Sequence, residues 1–583
     1  MTNQVKSEIR DGMQIDWDVP IQMDDGIVLR ADVYRPIEEG KYPAIMTYGT
    51  YAKWLHLEDA YPNQWKAMAE NHPDVVAGST NKYQTWEAVD PEKFVPDGYI
   101  CVRVDSRGAG RSPGYLQPWS PRETKDYHDC IEWAATQPWC SGKVGLCGIS
   151  YYAMNQWHVA GLQPPHLTAM CAWEGAADFY RDVTFHGGLY NTWVDSWYEN
   201  SAKPRQHGLG SNGFKSRING DWASGPETLS DEELASNSCD FAEEFSSHSM
   251  DGEFWRERSA NWPKINVPFL SAGNWGGHGL HLRGNAEGFM RAASKEKWLE
   301  IHGLEHWTHF YKDYGVNLQK KFFGHFLKGE DTGWKDQPRV QLQVRHVGEK
   351  FVQRSESEWP LARTQWTKFF LHPEDHSLRP EPTTATDTLT YEALGNGVTF
   401  LTPPLATETE ITGPSAAKLF VSSETEDADL FLVLRVFTGD MKEVTFQGAL
   451  DPHSPIAHGW LRSSHRKLDP ELSLPYRPYH SHDEKQPLDP GKVYDLDVEI
   501  LPTCIVVPAG YRIGLSVRGN DYVYPGGAAQ GPQTLGKMAF TGVGPYKHVN
   551  RRNRPVSIYG GQVTLHTGAD QQAHVLVPII PPK

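Results

Sequence analysis

The sequence predicts an α/β domain, interrupted by a helical cap and followed by an all-β domain of the jelly-roll type. Strand-like and helical segments alternate as far as about residue 355, which is typical of βαβ units and a mostly parallel sheet. Residues 176–262 interrupt this alternation, and after residue 360 strand-like segments follow one another between Gly- and Pro-rich turns. The predicted parts are the first core segment at 1–175, the cap at 176–262, the second core segment at 263–355 and the jelly roll at 360–583.

The predicted core begins with a hairpin, because residues 20–36 alternate apolar and polar side chains around Asp24-Asp25-Gly26. Short apolar runs bounded by turn residues then predict buried strands, and segments with helical spacing predict the connecting helices. The predicted strands are 43–48, 99–104, 143–147, 167–173, 267–271 and 297–301, and the predicted helices are 121–137, 152–160 and 285–293.

The two remaining parts differ in pattern from the core. Residues 176–262 are rich in aromatic side chains, Asn, Ser and Glu, with a predicted helix at 231–236 and no clear strand. An insertion of this kind is expected to cover the carboxyl edge of the sheet. The strands predicted for the C-terminal part include 367–371, 417–421, 430–437, 493–500 and 511–517.

Composition and charge restrict the function classes. A net charge of −17, without long blocks of one sign, argues against nucleic acid as a partner. The first ten residues lack the apolar core of a signal peptide, and no apolar run is long enough to cross a bilayer. The seven cysteines are scattered, which favours reduced, buried thiols. We expect a cytoplasmic protein with a small-molecule substrate, no membrane partner, and a homodimer as its candidate assembly.

Ser150 is the candidate nucleophile. It lies in Gly148-Ile-Ser-Tyr-Tyr152, between the strand predicted at 143–147 and the helix predicted at 152–160. This is the setting of the nucleophile elbow of α/β hydrolases, whose sharp turn exposes the serine and aims the next backbone N–H at an attacked carbonyl oxygen. The usual pattern is Gly-x-Ser-x-Gly, and here Tyr152 replaces its last glycine.

A serine nucleophile needs a histidine base and a group that orients the histidine. His306 follows the last predicted core strand, where the base belongs, and His309 is its rival. The loop at 271–279, the usual place of the acid, contains no Asp or Glu. Glu174, at the end of the strand after the elbow helix, is the candidate acid, with Asp178 second. The orienting group could instead be Asn274 in a dyad without an acid.

The expected oxyanion donors are the N–H of Tyr151 and a group near Tyr48-Gly-Thr-Tyr51, where either tyrosine hydroxyl could serve. In the cap, aromatic residues including Trp193, Trp197 and Tyr198 suggest a pocket for an apolar or aromatic substrate, which His186 could also line.

No metal or cofactor is expected. His278 and His281, and the set His302, His306 and His309, are close in sequence but lack the His-Glu-x-x-His register. Gly108-Ala-Gly110 follows a strand without completing a dinucleotide-binding pattern.

These motifs resemble the cocaine esterase and X-prolyl dipeptidyl aminopeptidase (CocE/NonD) group of α/β hydrolases. The likeness lies in Asp105-Ser-Arg-Gly-Ala-Gly-Arg-Ser-Pro-Gly114, Gly148-Ile-Ser-Tyr151, Ala177-Asp-Phe-Tyr-Arg181, Gly413-Pro414 and Gly459-Trp-Leu-Arg-Ser-Ser-His-Arg466. The resemblance implies a catalytic α/β domain, a helical cap and a C-terminal jelly roll. It assigns the nucleophile to Ser150, the base to His306 and the oxyanion tyrosine to Tyr51. The family's Gly-Trp-Tyr-Asp loop reads Gly273-Asn-Trp-Gly-Gly277 here, so the resemblance supplies no acid.

The expected function is that of a serine hydrolase, which cleaves an ester or amide of a small apolar or aromatic acyl group through an acyl-enzyme. The alternatives are an X-prolyl dipeptidyl aminopeptidase, a non-hydrolytic or C–C-cleaving relative in a biosynthetic pathway, and a degenerate binding protein.

Overall fold

The computed structural model describes residues 5–528 and 540–582, and its first part is built on one twisted, mostly parallel sheet. The strands of this part and of the cap are β1 (Lys6–Arg10), β2 (Met13–Gln22), β3 (Val28–Arg35), β4 (Tyr42–Gly49), β5 (Ile100–Asp105), β6 (Cys140–Ile149), β7 (Leu167–Trp173), β8 (Phe185–His186), β9 (Leu189–Tyr190), β10 (Phe269–Asn274), β11 (Lys297–His302), β12 (Val340–His346) and β13 (Lys350–Glu356).

The helices surround this sheet and form most of the cap. They are α1 (Leu57–Ala60), α2 (Pro62–Asn71), α3 (Pro91–Phe94), α4 (Pro121–Ala135), α5 (Tyr151–Ala160), α6 (Trp193–Trp197), α7 (Asp231–Ser236), α8 (Phe241–Ser247), α9 (Glu253–Arg256), α10 (Leu282–Arg291), α11 (Thr308–Tyr311) and α12 (Asp313–Phe323). Short π-helical turns run over Phe179–Thr184, Tyr198–Ala202 and Gly324–Lys328, and 3₁₀ turns include Lys203–Arg205.

The strand order places the chemistry at one edge of the sheet. The pairings run β1-β2-β3-β5-β4-β6-β7-β10-β11-β12-β13, and every pair from β5 to β12 is parallel. The predicted α/β domain with a mostly parallel sheet is therefore confirmed. Because the carboxyl ends of β6, β7, β10 and β11 are neighbours, the loops that follow them meet at one edge, where open α/β sheets bind their ligands.

Two observations differ from the predicted pattern of the insertions. The cap, predicted to lack a strand, contains the short hairpin β8-β9. Helices α1 to α3 form a second insertion between β4 and β5, in a stretch for which the sequence suggested no element. The predicted helix at 231–236 is present with the same bounds, because Ser230 and Glu233 form a reciprocal capping box at its start.

The C-terminal part is an antiparallel β-domain with its own apolar core. Its long strand β18 (Thr409–Ser423) pairs with β22 (Tyr494–Val507), β24 (Gln562–Thr567) and β25 (His574–Ile580), each antiparallel. The finer assignment to a jelly roll stays a prediction, as do the bounds of the four predicted parts. The elements are β14 (Gln365–His372), β15 (Ser377–Arg379), β16 (Asp387–Glu392), β17 (Val398–Leu401), β18 (Thr409–Ser423), β19 (Asp429–Phe437), β20 (Glu443–Val444), β21 (Ala457–Arg462), β22 (Tyr494–Val507), β23 (Arg512–Arg518), β24 (Gln562–Thr567), β25 (His574–Ile580) and α13 (Val556–Tyr559).

Within residues 5–528 and 540–582, no helix combines the length and the apolar character that crossing a membrane requires.

Candidate active site

Ser150 occupies a strained turn between β6 and α5. Its backbone has φ 57° and ψ −114°, a left-handed conformation that non-glycine residues rarely adopt and that is common at functional sites. The turn accommodates Tyr152 in place of the usual glycine because Gly148 and Gly49, which have no side chains, leave space for it. A Cβ on Gly148 would lie 2.4 Å from the Tyr152 Cβ, and one on Gly49 would lie 2.6 Å from the Tyr152 ring. The departure from Gly-x-Ser-x-Gly is therefore compensated by neighbouring glycines.

His281 contacts the Ser150 hydroxyl. Its Nε2 lies 3.1 Å from Ser150 Oγ, while its Nδ1 accepts a hydrogen bond from the Ala176 N–H at 3.1 Å. A backbone N–H is always a donor, so Nδ1 uses its lone pair there and Nε2 carries the proton in the neutral ring. Burial and the neighbouring His306 hold the pKa of His281 well below its ordinary value. His281 is thus a neutral donor to Ser150 Oγ, and its Nε2 is not free to accept the serine proton.

His306 lies beside His281 and between two carboxylates. The two imidazole planes are 5° apart, with ring centroids separated by 5.3 Å. His306 Nδ1 donates to Glu174 Oε2 at 2.5 Å, and its Nε2 lies 3.3 Å from Glu87 Oε1. Burial disfavours the imidazolium, but the carboxylates of Glu174 and Glu87 outweigh it and raise the pKa of His306 to about 10.

The predicted base therefore has its acid but is not hydrogen-bonded to the predicted nucleophile. Among the residues that the structure describes, the side-chain hydrogen bond of Ser150 is the one with His281. Catalytic hydrogen bonds are often long in ligand-free sites and shorten only when substrate is bound. Because Oγ accepts from His281, its own proton remains available to a second acceptor such as a neutral His306.

Glu174 is held as an acceptor by several donors. Its backbone has φ 50° at the end of β7, and its carboxylate receives hydrogen bonds from His306, from His302 Nε2 at 3.1 Å and from Asn274 Nδ2 at 3.2 Å. Burial opposes its ionisation, but the two histidines outweigh burial and lower its pKa. Glu174 is therefore an ionised carboxylate facing His306, and Asn274 orients Glu174 instead of the histidine.

Tyr51 offers a hydroxyl to the same space. Its oxygen accepts a hydrogen bond from Trp197 Nε1 at 3.0 Å, which leaves the Tyr51 proton free to be donated. Burial, with Glu87 nearby, keeps the pKa of Tyr51 well above its ordinary value, so the group stays protonated. The Tyr151 N–H opens helix α5 at its first position, where backbone N–H groups have no partner within the helix.

The loop that carries Tyr51 is fixed by buried charges. Asp105, at the end of β5, accepts from the Lys53 N–H at 2.6 Å and from Lys53 Nζ at 3.0 Å. The Arg111 N–H donates to the same carboxylate at 2.8 Å. A Cβ on Gly110 would lie 2.4 Å from the Asp105 carboxyl group, and Gly110 has φ 53°. The predicted motif 105–114 therefore positions the Tyr51 loop and does not itself meet the nucleophile.

These side chains open into one cavity of about 460 Å³. Seven Tyr and Trp side chains stand in its wall, and both the cap and the C-terminal domain contribute to it. The residues that line it are Tyr51, Ala60, Tyr61, Trp86, Glu87, Ser150, Trp193, Ser196, Trp197, Asn200, Ser201, Arg205, Leu280, His281, His306, Trp307, Leu450, Pro545 and Tyr546.

The structure brings some predicted residues to this cavity and leaves others away from it. Trp193 and Trp197 line it, whereas His186 contacts His548 at 3.0 Å and stacks on Trp460, next to a separate small cavity. Asp178 is ion-paired with Arg181 at 2.9 Å. His309 is buried against His302, and Tyr48 stacks on Tyr127.

Two residues of the site were missed from the sequence. His281 was considered there only as a candidate metal ligand, although it follows β10, at the strand end where the fold usually carries a catalytic side chain. Glu87 lies in the insertion between β4 and β5, with a φ of 57° and a contact to His306. The sequence around Glu87 contains no motif that would have predicted this contact. Among the described residues, no group of three or more His, Cys, Asp or Glu side chains is arranged to hold a metal ion.

Comparisons with known proteins indicate the family to which the chain belongs. Residues 25–311 match the X-Pro dipeptidyl-peptidase (S15 family) model, and residues 332–576 match the X-Pro dipeptidyl-peptidase C-terminal non-catalytic domain. The cocaine esterase of a Rhodococcus species is 24% identical, over 96% of this chain and 98% of that protein.

Solved structures extend the likeness to the whole chain. The crystal structure of a CocE/NonD family hydrolase from Staphylococcus aureus is 31% identical, with a TM-score of 0.82 over 97% of this chain and 94% of that one. An aminopeptidase from a marine sediment archaeon, 16% identical with a TM-score of 0.66 over 100% of both chains, shares the fold. The chain therefore belongs to the CocE/NonD and X-Pro dipeptidyl-peptidase family of α/β hydrolases, and its enzyme class is that of a serine hydrolase.

Proposed function

We propose that the protein hydrolyses an ester or amide of a small apolar or aromatic acyl group, through an acyl-enzyme formed on Ser150. The observation that carries this proposal is the position of Ser150, at positive φ, beside two histidines in an aromatic cavity. Aromatic walls favour apolar or aromatic substrates, because they remove apolar surface from water.

In the proposed first half-reaction, Ser150 Oγ forms a bond to the carbonyl carbon while its proton passes to neutral His306 Nε2. Glu174 accepts from His306 Nδ1–H and stabilises the imidazolium that forms. The Tyr51 hydroxyl and the Tyr151 N–H donate to the oxyanion. The tetrahedral intermediate collapses when the bond to the leaving group breaks, and His306 returns the proton to that group.

In the second half-reaction, water attacks the acyl carbon and gives one proton to His306. The bond from the acyl carbon to Ser150 Oγ then breaks, the acid is released, and His306 returns the proton to Oγ. His281 Nε2–H donates to Oγ and stabilises the negative charge on it when this bond breaks. His281 therefore assists Ser150 both as the nucleophile and as the leaving group.

Intact-mass labelling with a fluorophosphonate tests the proposal, alongside hydrolysis of a short-chain aryl ester. We expect one adduct on the wild type and none on Ser150→Ala, with labelling strongly slowed in His306→Ala. A wild type that neither labels nor hydrolyses the ester would refute the proposal, provided that its circular dichroism shows a folded protein.

A second candidate is an X-prolyl dipeptidyl aminopeptidase. It is favoured by Glu87, which lines the cavity and whose Oε2 is buried without a hydrogen-bond partner among the described residues. Such a carboxylate oxygen suits the α-ammonium group of a peptide. Cleavage of Gly-Pro-p-nitroanilide, and not of its N-acetylated form, would favour this candidate over the esterase.

The remaining expectations also stay proposals. They are a small-molecule substrate without nucleic-acid or membrane partners, a homodimer, a cytoplasmic location and a jelly-roll topology for the C-terminal domain. No observation favours a C–C-cleaving relative or a degenerate binding protein.

A further inference from the structure

Four polar residues of the catalytic cavity come from one segment of the cap. Ser196, Asn200, Ser201 and Arg205 line the cavity from consecutive turns. Among these, Arg205 is the charged group. These side chains are thus suited to hydrogen-bond a polar or charged part of a ligand.

Arg205 has no carboxylate partner in the part of the chain that the structure describes. Its Nη1 donates to the Asn200 carbonyl oxygen at 2.7 Å, which is a neutral acceptor. The titratable groups that act on its charge are the hydroxyls of Tyr61 and Tyr51, and burial lowers its pKa. By contrast, the neighbouring Lys203 pairs with Glu199 at 3.1 Å on the cap surface. A half-buried guanidinium without an anion is unusual, since such groups are normally paired.

The backbone of Arg205 is also fixed in place. Its carbonyl oxygen accepts from the Gly110 N–H at 2.8 Å, and the adjoining Gln206 forms an antiparallel bridge with Ala109. Gly110 belongs to the loop that Asp105 holds beside Tyr51. The backbone that carries the guanidinium is therefore anchored to the loop at 105–114, which also holds the loop of the predicted oxyanion donor.

We propose that Arg205 binds a carboxylate of the substrate, so that the preferred ester or amide carries an anionic group on its apolar or aromatic portion. A guanidinium presents two parallel N–H groups that match a carboxylate. The other charged residues of the cavity wall, Glu87 and His306, lie 3.3 Å apart, so their opposite charges offset each other locally. This inference rests on the proposed hydrolase function and specifies its substrate class.

Two matched pairs of esters test the inference. The first pair places the charge in the leaving group, as 4-butanoyloxybenzoate against 4-butanoyloxybenzamide. The second pair places it in the acyl group, as phenyl hydrogen adipate against phenyl hexanoate. The readout is the ratio of kcat/KM for the carboxylate ester to kcat/KM for its neutral partner.

For the wild type, we expect this ratio to exceed that of Arg205→Gln by about ten- to hundredfold in at least one pair, the usual effect of a charged hydrogen bond. Arg205→Lys keeps the charge without the planar fork and should give an intermediate ratio. Lys203→Gln, on the same segment, should leave the ratio unchanged. If Arg205→Gln lowers both members of each pair equally, Arg205 has only a structural role and the inference is overturned.

Equilibrium binding separates this inference from the hydrolase proposal. In the Ser150→Ala protein, calorimetric titration with both pairs of esters requires no catalysis. Tighter binding of the carboxylate ester than of its neutral partner in at least one pair, lost on adding Arg205→Gln, supports the inference even if the wild type proves inactive. Equal binding within both pairs, with normal fluorophosphonate labelling of the wild type, overturns the inference and leaves the hydrolase proposal standing.

Discussion

His306 Nδ1 donates a 2.5 Å hydrogen bond to Glu174 Oε2, although the two residues lie 132 positions apart. They meet because β7 and β11 flank β10 in the sheet, so that Glu174 at the end of one strand faces the loop after the other. An acid from the β7 end thus takes the position for which the loop after β10 provides no carboxylate.

Replacing Glu174 by Gln removes the charge that stabilises the His306 imidazolium while keeping the shape of the side chain. We expect kcat for an aryl ester to fall by about 10³- to 10⁴-fold, the usual effect of losing the triad carboxylate. Glu300→Gln is the matched control, since Glu300 contacts His302 and not His306. Comparable losses in both variants would mean that activity depends on all the buried hydrogen bonds around His302, and not on the charge of Glu174 alone.

Replacing Glu87 by Gln should shift the pH dependence of kcat/KM. The base must be neutral, so activity rises as pH increases through the pKa of His306, which Glu174 and Glu87 raise to about 10. Removing the Glu87 charge lowers this pKa, and the acidic limb should move to lower pH. Rates measured from pH 5 to 10.5 check this expectation. An unmoved limb would mean that Glu87 does not act on the catalytic base.

Two substitutions of His281 separate hydrogen bonding from packing. His281→Leu removes the donor to Ser150 Oγ, and we expect kcat to fall by about 10- to 100-fold, as for the loss of a hydrogen bond to a charged group. His281→Gln can present an amide N–H in its place and should lose less. Steady-state hydrolysis of the aryl ester provides kcat, and fluorophosphonate labelling rates report the attack by Ser150 separately. If both variants lose all labelling, His281 is itself the general base.

Replacing Tyr51 by Phe removes one proposed oxyanion donor. The loss in kcat should be about 10²- to 10³-fold, with little change in KM, because the donor acts on charge that develops in the transition state. Tyr48→Phe is the control, since Tyr48 packs on Tyr127 and does not line the cavity. An equal loss in the two variants would indicate that each substitution disturbs the packing of the loop after β4, and not an oxyanion contact.

The fold was largely predictable because its signals are local. The strand predicted at 167–173 has the same bounds in the structure, and the elbow helix predicted from residue 152 begins at Tyr151. Buried parallel strands are continuous apolar runs, which are visible in any short window of sequence.

The site was only partly predictable because it depends on contacts between distant segments. Glu174 could be suggested from its strand end, but the donor role of His281 depends on the Ala176 N–H, 105 residues away. The contact between Glu87 and His306 joins the insertion between β4 and β5 to the loop after β11. Neither contact leaves a pattern in the residues beside it.

Leu450, Pro545 and Tyr546 belong to the C-terminal β-domain, yet they stand in the wall around Ser150. In addition, the His306 N–H donates to the Ala449 carbonyl oxygen at 3.0 Å, which ties the loop of the base to that domain. The α/β sheet alone therefore does not complete the cavity, and we expect competence for catalysis to require docking of the C-terminal β-domain as well. During refolding, recovery of esterase activity should lag behind recovery of helical circular dichroism.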